Sequence, residues 1–148
     1  MQASRTVWIA PWGGKAGNES GEFIIPDGAR LTNIDIRSGE AIDFVRFTYK
    51  DQSGTDHSET FGSEAGGSFH KITFNENEYL ITISGRVGSY ASITLVTSLT
   101  FQTNLRTYGP YGTNPGTDFS LGVSSGKFSG FYAKYGDYLD SLGVILQP

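Results

Sequence analysis

Three glycine-rich stretches divide this chain into nearly equal thirds, and few folds accommodate such an arrangement. They run from Gly13 to Gly17, Gly62 to Gly67 and Gly109 to Gly116, and their first residues lie 49 and 47 residues apart. A recurrence at roughly 20 to 50 residues marks a repeated supersecondary unit whose copies bury their apolar faces against one another. A second series interleaves with the first: Gly39 to Asp43, Gly85 to Ser89 and Gly136 to Asp140, with starts 46 and 51 residues apart. After the first and third of these the apolar residues keep the same phase, Val45, Phe47 and Tyr49 matching Leu142, Val144 and Leu146. Three four-stranded units about a pseudo-threefold axis account for both series.

The units read as strands. Apolar residues alternate at Val7 and Ile9, Ile34 and Ile36, Ile72 and Phe74, Ile81 and Ile83, Ile93 and Leu95, Leu99 and Phe101, and Phe119, Leu121 and Val123, in addition to the phased sets above. A period of two places one face of each segment against a core. Turn-forming clusters such as Pro26-Asp27-Gly28 and Asp51-Gln52-Ser53-Gly54 separate them. With 20 glycines and 14% aromatic residues, the composition agrees. The pattern predicts an all-β domain over residues 1–148, with about ten to twelve strands and at most a turn or two of helix.

Charge and cysteine usage exclude several functions. The chain has no cysteine, so disulfides and thiolate metal centres are out of reach. Eleven Lys and Arg against 15 Asp and Glu leave a net charge of -4, and the basic residues are scattered. Nucleic acid and membrane insertion are therefore not expected. The first residues lack the apolar core of a secretory signal, which sets the expectation of a cytoplasmic or nucleocytoplasmic location. A neutral partner remains, and a sugar is neutral.

The Gly-x-x-x-Asp segments suit such a partner. A carboxylate at a loop end accepts hydrogen bonds from adjacent hydroxyls, and charge-assisted bonds are about twice as strong as neutral ones. Glycine allows the tight turn and bares backbone N–H groups toward an oxygen-rich ligand. The motif itself is weak, since chance supplies about one copy in a chain of this composition. Its weight comes from the equivalent places of Asp43 and Asp140 in the repeat, each opposite a glycine-rich loop. Read singly, each loop is an ordinary turn and each aspartate a turn cap. Trp8 and Trp12 read as packing residues.

Larger segments carry a family likeness. Trp12-Gly13-Gly14, the run Arg106 to Gly112, the run Gly116 to Leu121 and the ending from Gly126 to Val144 resemble the jacalin-related lectins, plant proteins of the mannose-binding type, and the likeness spans essentially the whole chain. The resemblance implies a β-prism of three four-stranded Greek-key sheets with sugar sites at one end. It implies a first site formed by the Gly17 N–H with Asp137, Tyr138 and Asp140, the last being the anchoring carboxylate. A second would use Gly39, Glu40, Ala41 and Asp43, closed by Gly66 and Gly67. Arg86 and Val87 would lie in a flanking loop as secondary contacts. Galactose-binding relatives are cut so that a glycine gains a free amino group, whereas here the chain runs unbroken through Gly17, which implies mannose or glucose.

The chain departs from the family in three places. The middle unit has Ser89 where the others have Asp, so no strong site is expected there. Lys15-Ala16 precede a lone Gly17 where relatives carry a second glycine pair, and Glu40 is longer than the Asp of some relatives. The resemblance implies no cofactor, no metal and no catalytic residue. Two other readings stay open: a protein-interaction module on the same fold, and a carbohydrate-processing enzyme. The second suffers because Asp137 and Asp140 share one short loop instead of flanking a bond. His57 and His70 also lack metal-spaced or nucleophilic partners. Weak single-site affinity sets the further expectation of a homodimer or higher homo-oligomer that gains avidity.

Overall fold

The computed structural model describes residues 5–148, which form twelve strands and, among the described residues, no helix. In chain order these are β1 (Val7–Gly13), β2 (Glu19–Ile24), β3 (Arg30–Ser38), β4 (Ile42–Lys50), β5 (Asp56–Gly62) and β6 (Ser68–Thr73). They continue as β7 (Leu80–Tyr90), β8 (Ile93–Thr103), β9 (Thr107–Tyr111), β10 (Thr117–Gly122), β11 (Lys127–Tyr135) and β12 (Leu139–Gln147).

Every pairing is antiparallel, in three four-stranded sheets ordered β5-β4-β3-β6, β10-β7-β8-β9 and β1-β12-β11-β2. In the first two sheets the fourth strand of the unit returns beside its first, which is the Greek-key order. The third sheet has the same order but is assembled from both chain ends, with β11 and β12 supplying the centre and β1 and β2 the edges. This is the expected β-prism, and it shows why the glycine series begins near Gly13: the chain enters the repeat halfway through a unit.

The sheets pack their apolar faces on a common axis. Phe47 of β4 stacks on Phe131 of β11 with ring centroids 3.9 Å apart and 4° between planes. Phe101 of β8 meets Phe47 edge-on at 6.5 Å. All three rings are fully buried, and burial of each contributes about 1.5–3 kcal/mol. Trp12 lies flat on Phe119 at 4.5 Å, which makes it the packing residue expected. Trp8 rests tilted on Tyr132 and stays largely exposed.

One irregularity repeats with the fold. Pairing shifts by a residue between Arg37 and Ser38, between Arg86 and Val87, and between Lys134 and Tyr135. Each shift is a bulge that leaves one residue of the following strand unpaired: Asp43, Thr97 and Asp140 respectively. Bulges bend a strand and re-aim a side chain. These three occupy equivalent places in the three units.

Candidate functional site

Two of the bulged residues are the carboxylates singled out from the sequence. Asp140 is buried and Asp43 half-buried. Each sits just past a three-residue hairpin turn, closed by Gly136 donating to the Tyr138 carbonyl and by Gly39 donating to the Ala41 carbonyl, both at 3.1 Å. The strand before each opposing glycine-rich loop ends in a residue of positive φ, Gly13 at 132° and Gly62 at 118°. A Cβ at either would collide with the carbonyl oxygen of Asp140 or Asp43. Glycine is therefore required twice over. The next N–H then bonds the same carbonyl, Gly14 to Asp140 at 2.8 Å and Ser63 to Asp43 at 3.1 Å.

The loops then bring bare backbone up to each carboxylate. A Cβ on Gly17 would stand 2.9 Å from Asp140 Oδ1, and one on Gly66 would stand 2.8 Å from Asp43 Oδ1. Gly67, at φ 65°, closes on Asp43 Oδ2 and on the Ser38 carbonyl. The sequence-based grouping of Gly17 with Asp140, and of Gly66 and Gly67 with Asp43, is thus a grouping in space. Around the first pair, Asp137 is exposed and Tyr138 half-buried at the turn. Around the second, Gly39 and Glu40 are exposed while Ala41 is buried beneath them.

Electrostatics sets both carboxylates apart from ordinary ones. Burial pushes the Asp140 carboxyl above its usual range, and the neighbouring charge of Asp137 adds to the effect. Burial also raises Asp43, with the Arg37 guanidinium opposing it. Each is an acceptor held in a place that disfavours its charge, and a ligand that brings hydroxyl donors would relieve this.

The middle unit corrects two expectations. Its equivalent of Asp43 and Asp140 is Thr97, not Ser89: Gly112, at φ 86°, is pressed on the Thr97 carbonyl as Gly13 is on that of Asp140. The conclusion that this unit lacks a carboxylate stands, but on a different residue. Arg86 and Val87 lie within β7 and not in a loop, paired with Ser98 and Val96, because the hairpin continues past them to a turn at Ala91 and Ser92. Arg86 reaches the Asn114 carbonyl at 3.4 Å and sits 3.6 Å from Asp118, while Val87 packs on the core.

The extended hairpin carries a residue that the sequence reading passed over. Tyr90 meets Tyr138 edge-on at 5.5 Å. The Glu40 carboxylate, then burial, Tyr138 and Asp43 push its phenol above the usual range. In the sequence Tyr90 stands between the Gly85–Ser89 stretch and the alternation of Ile93 and Leu95, with nothing to set it apart from an ordinary turn aromatic. Among the described residues no group of three or more His, Cys, Asp or Glu side chains gathers as a metal centre requires.

A jacalin-like lectin domain model matches residues 9–145. Among curated proteins, jacalin-related lectin 3 of Arabidopsis thaliana is 39% identical over 95% of this chain, and a mannose/glucose-specific lectin of Parkia pendula 37% over 97%. The chain spans 23% and 32% of the length of these two relatives. Horcolin of Hordeum vulgare is 32% identical, with 98% of this chain and 99% of that protein aligned. Among solved structures, a mannose-binding jacalin-related lectin from Ananas comosus superposes with a TM-score of 0.83 at 40% identity, covering 97% of this chain and 98% of that one. Artocarpin in complex with mannotriose gives 0.86 at 32%, covering 99% and 100%. Together with the three Greek-key sheets, these matches show that the chain belongs to the jacalin-like lectin family.

Proposed function

We propose that this protein binds carbohydrate ending in α-mannosyl or α-glucosyl residues, at two sites per chain and without turnover. The observation that carries the reading is the pair of equivalent bulges that aim Asp140 at Gly17 and Asp43 at Gly66 and Gly67. A pyranose offers adjacent hydroxyls about one carboxylate apart, and each site offers a charged acceptor beside bare N–H groups. The first site comprises Gly17, Asp137, Tyr138 and Asp140; the second Gly39, Glu40, Ala41, Asp43, Gly66 and Gly67. Relatives named for mannose or glucose support the choice of sugar.

A sugar exchanges water hydrogen bonds for protein ones, so each bond adds little and single-site affinity is about millimolar, roughly -4 kcal/mol. Cross-linking of glycans then rests on two sites per chain and on self-association into a homodimer or larger assembly. Titration calorimetry with methyl α-mannoside tests the reading. Wild type is expected to bind two equivalents, Asp140→Asn and Asp43→Asn one each, and the double variant none. Unchanged stoichiometry in both single variants would refute the assignment.

A further inference from the structure

The equivalent strands β3, β7 and β11 begin at Arg30, Leu80 and Lys127 and carry their bulges toward the other end. The run from Arg30 to Ser38 is about 26 Å long at about 3.3 Å per residue. The pole where these strands start is therefore remote from Asp43 and Asp140. There all three units meet around a cavity of about 260 Å³.

Its walls are apolar and its polar groups are already engaged. Leu80 and Phe128 line it as buried residues, and Ile25 and Leu31 as half-buried ones. The side chain of Glu78, also in the wall, is fully buried and accepts from Thr103, Tyr108 and the Asn75 N–H, with the Arg106 guanidinium 3.8 Å away. The Ser129 hydroxyl donates to the Ile145 carbonyl at 3.3 Å, and its own carbonyl accepts the Ile25 N–H at 2.9 Å. These walls offer a hydroxylated ring little to bond, in contrast to the two sugar sites.

The rim has the opposite character. Arg30 and Lys127 reach it from two different sheets, and among the described residues neither forms an ion pair with a carboxylate. Arg30 donates from Nη1 to the Asn75 carbonyl at 3.2 Å, which leaves its other N–H groups available. In a chain of net charge -4, two such cations beside an apolar hollow reverse the local charge. Tyr79 completes the rim. Its N–H donates to Asn104 Oδ1 at 2.8 Å and its carbonyl accepts the Asn104 N–H at 3.1 Å, so the backbone is clamped while 62% of the residue faces solvent. An aromatic held at the mouth of an apolar hollow is a contact surface for another ring.

We propose that this pole is a further binding site, which takes a small planar aromatic carboxylate with its rings in the cavity and its carboxylate on Arg30 and Lys127. The volume falls just below the range of about 300–1,000 Å³ that holds drug-sized ligands, which suits one fused ring system and is too small for a peptide or a long acyl chain. Charge-assisted bonds from two cations fix the orientation. The inference does not rest on the sugar reading.

The probe is 2-naphthoate, with neutral 2-naphthamide as its uncharged counterpart, each titrated into the full chain by calorimetry and amide-resolved NMR. One saturable equivalent of 2-naphthoate is expected, with shifts at Ile25, Ala29, Leu31 and Phe128. Arg30→Gln and Lys127→Gln are each expected to weaken it by about two- to fivefold, the worth of one exposed charge pair, and to leave 2-naphthamide unchanged. Ala29→Phe, which adds bulk at the cavity wall, is expected to abolish binding of both probes, with thermal unfolding reporting that the variant is folded. Saturating methyl α-mannoside is expected to leave 2-naphthoate binding unchanged. Absence of saturable binding up to millimolar 2-naphthoate, equal affinity for the two probes, displacement by the mannoside, or shifts confined to other surfaces would each overturn the inference. The two charge variants lie at the exposed rim and keep the test decisive if Ala29→Phe does not fold.

Discussion

Gly17 lies in the β1–β2 loop and Asp140 in the bulge at the start of β12, yet a single added carbon on Gly17 would stand 2.9 Å from Asp140 Oδ1 and 2.6 Å from the Tyr135 nitrogen. The carboxylate pocket is therefore as wide as a missing side chain. Gly17→Ala must displace backbone as well as carboxylate, and a stability loss of about 1–3 kcal/mol is expected. Gly66→Ala meets chiefly the movable Asp43 carboxylate, so stability should change less. Both substitutions are expected to remove one binding equivalent in calorimetry. Denaturant unfolding beside each titration checks the contrast.

Asp140 should carry a stability penalty in exchange for its role. The unfolded chain ionises this group near 3.8, the folded chain only at higher pH, because burial and Asp137 raise it. Between those values the unfolded state holds fewer protons, so stability falls as pH rises through the window and stays lower above it. Asp140→Asn is expected to melt above wild type at pH 7, with the difference vanishing below about pH 3.8. Asp43→Asn should gain less, since Arg37 already offsets the burial. Melting curves from about pH 3 to 7 measure this; a variant that melts lower at pH 7 would contradict it.

Glu78 lies in the connection from β6 to β7. Its side chain is fully buried, accepting from Thr103 Oγ1 at 2.6 Å, the Tyr108 hydroxyl at 2.8 Å and the Asn75 N–H at 3.0 Å. Burial pushes its carboxyl up, but these bonds and Arg106 outweigh it and leave it below the usual range. The stability it contributes is thus present above its unfolded value of 4.5 and lost as pH falls through the lowered one. Glu78→Ala strands the Asn75 N–H and the Tyr108 hydroxyl, while the Thr103 hydroxyl keeps the Arg106 carbonyl at 3.2 Å, and the expected cost is about 2–4 kcal/mol. Sugar stoichiometry in the folded variant should remain two.

Asp51 caps the β4–β5 turn, at the far end of β4 from Asp43. Its carboxylate accepts from the Ser53 hydroxyl at 2.6 Å, His57 Nε2 at 2.8 Å and the Thr55 N–H at 3.0 Å, and these bonds hold it well below the usual carboxylate range. Asp51→Ala is expected to lower the melting temperature at pH 7, with the difference shrinking as acid protonates the wild-type group. Mannoside affinity should be unaffected, and a change there would place the turn nearer the sites than the fold does.

Much of this was legible in the residues, for reasons that also mark where legibility ended. The central strands announced themselves because Val45, Phe47, Leu142 and Val144 recur at every second position and are all fully buried. The edge strand β5 did not, since Asp56 to Glu59 are all exposed and carry no period. β11 was hidden by the pairing shift between Phe128 and Gly130, which breaks its alternation. Asp43 and Asp140 were found through their spacing from glycine. Nothing in that spacing reveals a bulge, and so Ser89 stood in for Thr97 until the long hairpin was seen. Ile93 and Leu95, with Leu99 and Phe101, suggested two segments where β8 is one strand. Tyr90 escaped because its ring partner, Tyr138, is 48 residues away in sequence.

The central claim is that sugar is received where a bulged carboxylate faces bare backbone, and amide-resolved NMR during a methyl α-mannoside titration tests it most directly. Shifts are expected to concentrate at Gly17 and Asp137–Asp140, and separately at Gly39–Asp43 with Gly66 and Gly67. Saturable shifts confined to the outer sheet faces or to the Thr97 bulge, with the amides of Gly17 and Gly66 unmoved, would contradict it.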